Sequence, residues 1–159
     1  LYSDTIPVFV DPVSCAYAET IVDFIGKFHT AKPNILETEI LSGMKIKSKK
    51  DLYKAAEKIL DKGLKRIFIS LGADGCLYMD REGKHIERKL APVEHMVNAS
   101  GAGDAFMAAV IYSYINAFTL DKTIDYGLAA GIVAISHEKT INPNMSVSLI
   151  ENILKERKI

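Results

Sequence analysis

The sequence has no excess of either charge: 20 Lys and Arg are balanced by 20 Asp and Glu in 159 residues. That argues against a nucleic-acid module, whose affinity rests on a basic face. It leaves room for a small phosphorylated ligand, because helix N-termini and metal ions accommodate phosphate without net basicity. Cysteine is scarce too. Cys15 and Cys76 lie far apart and form no Cys-x-x-Cys pair, so free buried thiols in a reducing cytosol are expected rather than a disulfide. The histidines His29, His85, His95 and His137 show neither His-x-His nor His-Glu-x-x-His spacing, which argues against a structural zinc site. The longest apolar run, Ala105 to Ile115, is too short to span a bilayer, and no signal peptide is visible. A cytoplasmic protein that engages no membrane is expected, and the Asn-x-Ser sequons at Asn98 and Asn144 read as chance matches. No repeat and no low-complexity segment occurs. The chain begins with Leu1 and enters a strand-like run almost at once, which reads as a fragment of a longer protein.

What is present is ordinary globular material, 48% apolar and 25% charged. A chain of this length makes about one domain and buries roughly 70% of its unfolded surface. "PVFVDP" (Pro7 to Pro12) predicts a short buried strand stopped by Asp-Pro, and apolar residues at helical spacing predict a helix from Ala18 to Phe28. "HTAKPN" predicts a second short strand, with Asn34 capping the helix "ILETEILSG" that Gly43 ends. Ser48 and Asp51 resemble a capping box for a helix that runs to Gly63. "KRIFISL" is a strand, "GADG" a tight loop; "CLYMD", the turn "REGK" and a segment around Glu94 to Val97 supply further strands. Helices are expected at Ala102 to Ala117, Asp121 to His137 and Val147 to Arg157.

Strands alternating with helices predict an α/β sheet flanked by helices. Ligands of such sheets sit beyond the carboxyl ends of the strands. The Asp11-Pro12 corner, "KPN", "LGADG" and the stretch "VNASGAGDAFMAAV" (Val97 to Val110) all fall at predicted strand ends, so four loops are expected to rim one crevice.

That last stretch carries the densest chemistry. Gly101 and Gly103 lack Cβ atoms and allow a ligand close to the backbone. The N–H groups at the start of the following helix have no intrahelical partners and carry partial positive charge. Asp104 in the first turn could accept a proton while negative charge develops on a phosphate, which fits phosphoryl transfer to a hydroxyl. The same residues also make a tight entrance to a packed helix, and spacing alone does not choose. Asn34 and Glu37, three apart on one turn, either position phosphate oxygens and a hydrated Mg²⁺ or form a capping box. "SLGADG" (Ser70 to Gly75) either admits a nucleotide or is a plain turn.

Together, in this order, the three elements resemble the ribokinase/PfkB family of carbohydrate and nucleoside kinases, whose C-terminal signature is matched by Ser100 to Asp104. The resemblance covers essentially the whole chain, but only the C-terminal half of a family member. It implies a ribokinase-like fold, the C-terminal part of a mainly parallel, Rossmann-like sheet flanked by helices, with residues 1–159 as one ATP-binding and catalytic portion. It implies Asp104 as the base and Gly101, Ala102 and Gly103 as the anion hole. It implies Asn34 and Glu37 as organisers of Mg²⁺ and the ATP phosphates, Glu37 through water. Ser70, Gly72 and Gly75 would line the nucleotide site, and the stretch from Leu128 to Gly131 would approach the adenine. A monovalent cation such as K⁺ would lie at Asn98 and Ser100, although many relatives carry an Asp where this chain has Asn98.

Within the family, "VFVDPVS", "HTAKPN" and "TINPNMS" look most like the branch that phosphorylates the ribose 5′-hydroxyl of pseudouridine. His29, Thr30 and Lys32 are given no chemistry. Family members carry an N-terminal half with a Gly-Gly motif, most sugar-contacting residues and a β-sheet lid, none of which falls within these residues. Lid closure completes such sites, so this chain alone is expected to be inactive, its parent a kinase of a small sugar or nucleoside and a candidate homodimer. The competing expectations are another PfkB sugar kinase, ribokinase-like or 2-keto-3-deoxygluconate kinase-like, and a nucleotide-binding module without catalysis.

Overall fold

The computed structural model describes residues 6–90, 97–98 and 100–157. They form two compact units, Leu1–Glu87 and Arg88–Ile159.

The first unit is built on a sheet of β1 (Phe9–Val10), β2 (Thr30–Ala31), β3 (Arg66–Ser70), β4 (Cys76–Asp80) and β5 (His85–Arg88), in that spatial order. The first three strands are parallel, with Phe9 opposite Thr30 and Thr30 opposite Arg66. Parallel pairing needs crossovers, and α1 (Cys15–Ile21) supplies the first, α2 (Ile35–Ser42) with α3 (Lys49–Asp61) the second. The short Gly72–Asp74 turn cannot cross over, so β4 returns antiparallel, Ser70 opposite Cys76 and Arg66 opposite Asp80. The sheet is therefore mixed, its parallel part confined to β1–β3. β5 follows the "REGK" turn, held by Gly83 N–H donating to Asp80 O at 3.2 Å.

Side chains alternate across the sheet. Ile67, Ile69, Leu77 and Met79 join Ala31, Leu41, Leu52, Ile59 and Leu64 in one core. The opposite face carries Thr30, Phe68 and Tyr78, all buried, with the Phe68 and Tyr78 rings 4.9 Å apart.

Two expectations are corrected here. The Ala18–Phe28 helix is broken: α1 ends at Ile21, and a separate 3₁₀ turn spans Ile25–Lys27. A Cβ on Gly26 would lie 1.9 Å from Lys62 O, so this turn is pressed against the end of α3 at a position only glycine fits. Cys15 is exposed rather than buried, because it begins a helix whose buried residue is Ala18. Cys76 is buried, and burial pushes its thiol up to about 12, which leaves it unreactive. At the start of α3, Ser48 Oγ accepts the Asp51 N–H at 3.2 Å and donates to Asp51 Oδ2 at 2.8 Å, and the same carboxylate oxygen accepts the Lys47 N–H at 3.2 Å.

The second unit contains α4 (Ala102–Ile115), α5 (Leu120–Ile135) and α6 (Val147–Arg157). α4 and α5 each stop two residues short of expectation. Ala109, Tyr126, Ala129, Ala130, Val133 and Ile150 form their common core. Tyr112, Phe118 and Tyr126 cluster at the α4–α5 turn, with the Lys122 ammonium 3.7 Å from the Phe118 centroid. Of the strand expected around Glu94 to Val97, residues 94–96 lie outside the described residues and Val97 occupies a bend. Among the described residues no helix is long and apolar enough to cross a membrane.

Candidate active site

In the first unit, three of the four singled-out loops meet at the carboxyl ends of β1–β3. Ser70 N–H donates to Pro33 O at 3.0 Å, and an isolated parallel bridge joins Asn34 to Ser70. Asn34 caps α2: its Oδ1 accepts the Glu37 N–H at 2.9 Å, and Glu37 Oε2 accepts the Asn34 N–H at 2.9 Å. The capping box is thus real. It also fixes a buried carboxylate at a helix start, with Glu37 only 2% exposed beside the exposed Asn34. Gly72 and Gly75 both need positive φ, 62° and 98°, and Gly75 N–H closes the turn onto Gly72 O at 3.2 Å. Nothing lies within 4 Å of a Cβ built on Gly72, so its backbone is open to solvent.

Lys32, to which the sequence pattern gives no chemistry, holds the one ion pair described at these strand ends. Its Nζ lies 3.1 Å from Asp11 Oδ2, with side chains 5% and 14% exposed. Each residue lies two beyond a paired position, Phe9 opposite Thr30, so both point to one sheet face. The signal was legible: an Asp ending one strand and a Lys ending the next are adjacent once the strands pair in parallel. Val13 follows at φ 63, a left-handed conformation rare for a β-branched residue, its N–H bonded to Asp11 Oδ1 at 3.2 Å. On the same sheet face Thr30 Oγ1 accepts from Arg66 Nε at 2.8 Å and contacts His29 Nδ1 at 2.8 Å. Burial, then the charges of Arg66 and Lys65, bring His29 down to about 4, so its imidazole is neutral at neutral pH.

In the second unit, Gly101 is the N-cap of α4, at φ 84 and with no side-chain cap. The first bond of the helix runs from Ala105 N–H to Gly101 O at 3.0 Å. The N–H groups of Ala102, Gly103 and Asp104 therefore have no intrahelical acceptor. Asp104 is exposed in the first turn. Asn98 is committed at both ends: Nδ2 donates to Glu138 O and Oδ1 accepts the Ser100 N–H, each at 2.9 Å. Gly131 lies under the turn, since its Cβ would be 3.7 Å from Ala102 O. Leu128 is 6% exposed, inside the helix packing. Gly127, which the sequence pattern does not single out, is packed under Phe106: its Cβ would meet three ring carbons at 2.8–2.9 Å. Among the described residues no group of three or more His, Cys, Asp or Glu side chains gathers to hold a metal.

An uncapped helix start with an exposed carboxylate, and strand-end loops with a buried carboxylate and lysine, can do phosphate chemistry. The sequence profile of the pfkB family carbohydrate kinases matches residues 2–146. The chain belongs to this family. It is 36% identical over 152 residues to the pseudouridine kinase of Escherichia coli K12, a match that covers 92% of this chain and 48% of that relative. A crystal structure of a Clostridium perfringens protein, provisionally assigned as a sugar kinase, superposes with a TM-score of 0.89 at 36% identity, covering 99% of this chain and 48% of that one. Arabidopsis thaliana ribokinase complexed with ribose and ATP superposes with a TM-score of 0.81 over 94% of this chain and 48% of its own, at 21% identity. The fold is ribokinase-like. The chain spans about half the length of the curated relatives it matches, 48% of one and 40% of another.

Proposed function

We propose that the full-length protein containing this chain is an ATP-dependent kinase of a sugar or nucleoside hydroxyl, with the 5′-hydroxyl of pseudouridine as the favoured acceptor. The observation that carries the reading is the start of α4: three N–H groups without intrahelical acceptors, a glycine N-cap with no side-chain cap, and an exposed carboxylate in the first turn. Asp104 takes the proton of the acceptor hydroxyl as that oxygen bonds to the γ-phosphorus and the bond to ADP breaks. The N–H groups around Gly101, Ala102 and Gly103 bind the negative charge on the transferring group. The 36% identity to a pseudouridine kinase supports the acceptor.

In the first unit, Asn34, Ser70, Gly72 and Gly75 would hold the nucleotide, and Lys32 adds a cation at the strand ends. The Glu37 carboxylate fits a Mg²⁺ site through water, as an oxygen donor held by its capping bond. Mg²⁺ would neutralise phosphate charge there. In the second unit, the Leu128–Gly131 stretch would flank the adenine. K⁺ would bind at Asn98 and Ser100, held weakly because Asn98 offers a neutral oxygen that already accepts the Ser100 N–H. We further propose a cytoplasmic location and a homodimeric full-length protein.

The test is a panel of nucleosides and sugars given to the full-length protein with ATP, beside its Asp104→Asn variant. Pseudouridine should be the best acceptor. Asp104→Asn should keep ATP binding and lose roughly 10²–10⁴-fold in kcat, the usual cost of one positioned base. Preference for another sugar would replace the acceptor; ATP binding without transfer to any acceptor would replace the kinase reading with a non-catalytic nucleotide module; unchanged turnover in Asp104→Asn would remove the base.

A further inference from the structure

The segment "TINPNMS" (Thr140 to Ser146) marks the branch resemblance, yet the proposed chemistry gives it no part. Between Ser136 and Ser146 only Asn142 is buried, 6% exposed. Its Nδ2 donates to Val133 O in α5 at 2.9 Å, and its Oδ1 accepts the Asn144 N–H at 2.9 Å. Its own carbonyl accepts the Met145 N–H at 3.0 Å. One side chain thus ties the 142–144 turn to the body of α5.

The residues just before it meet the α4 turn. A Cβ on Gly101 would lie 2.2 Å from Thr140 O and 3.2 Å from Thr140 C, so the Thr140 peptide is stacked directly on Gly101. Glu138 O accepts from Asn98 Nδ2, two residues before Ser100. The first glycine of the motif is thereby occupied by the protein's own backbone, and Gly103 is left as the position for close approach of a ligand.

We propose that Asn142 is a positioning residue for the Gly101–Asp104 turn, acting by pinning the 138–140 backbone against Gly101 and Asn98. The inference rests on the reading of that turn as base and anion hole. Loss of the pin lets the Thr140 carbonyl leave Gly101, and the N–H groups and Asp104 lose their aim while the strand-end loops of the first unit keep theirs.

In the full-length protein, Asn142→Ala should lower kcat by up to ~10²-fold, the scale of a small misplacement of reacting groups. The KM for ATP should stay within about threefold, since the interaction lost is one expressed in the transition state. Thr140→Gly, an exposed change that frees the same backbone, should lower kcat in the same sense, and Thr140→Ala should restore it. Asn116→Ala removes a comparable amide bond at the far end of α4, to Tyr112 O at 2.8 Å, and should leave both constants unchanged. A folded Asn142→Ala protein with wild-type kcat overturns the proposal, as does an equal loss in Asn116→Ala. If Asn142→Ala does not fold, Thr140→Gly decides: wild-type kcat there overturns it. Full turnover in Asp104→Asn would instead sink the underlying reading.

Discussion

At the scale of single residues, the first unit holds two groups whose charge state matters for stability. His29 is brought down to about 4 from 6.5, so an unfolded chain binds a proton there before the folded one does. Stability is therefore unaffected by this group above about pH 6.5 and falls as pH drops from 6.5 towards 4. Urea midpoints measured across that range should fall with acid, and His29→Gln should flatten the slope. The Lys32–Asp11 pair makes the complementary prediction. Lys32→Met leaves Asp11 nearly buried with no cation and should cost about 3 kcal/mol, whereas Lys32→Met with Asp11→Leu should recover most of it. Equal midpoints for single and double variants would show that the pair is not coupled.

At the scale of elements, the two helical hairpin arms of the second unit approach through a glycine. Gly127→Ala would improve helix propensity by about 1 kcal/mol. The added methyl would also strike three carbons of the buried Phe106 ring at 2.8–2.9 Å, and overpacking of this kind costs about 1–3 kcal/mol. The net expectation is a loss of about 1 kcal/mol in denaturant unfolding, reversed in part by Phe106→Leu. A gain in stability would mean the ring moves aside freely. Elements whose ends are set by neighbouring residues are legible from the sequence: α2 is capped by Asn34 and Gly43, and α6 spans Val147–Arg157. The α1 boundary was not legible. The 3₁₀ turn after the break packs Gly26 against Lys62 O, far along the chain, and apolar spacing alone cannot register that contact.

For the whole molecule, the chain covers 48% of the related pseudouridine kinase. Most of the acceptor-contacting surface of such an enzyme is expected outside these residues. On the proposed function, the isolated chain should show little or no transfer from ATP to pseudouridine, and the full-length protein should show it. Robust transfer by the isolated chain, followed as ADP release, would overturn that expectation. The candidate site divides in the same way. Its glycines, Asn34, Glu37 and Asp104 were readable because each relies on a helix start only a few residues long. Lys32, Asp11 and Asn142 were not assigned, because their partners lie on other elements.

The sequence by itself determined the α/β class, the capped helices, the family and the residues of the Ser100–Asp104 turn. These depend on local conformational preference and on spacing within a turn, both properties of contiguous residues. Only the tertiary structure decided that Asp11 meets Lys32, that the Ala18–Phe28 helix breaks, and that Gly101 is a glycine for the Thr140 backbone. Those outcomes follow from pairing register and close packing, and these join atoms that the linear order keeps apart.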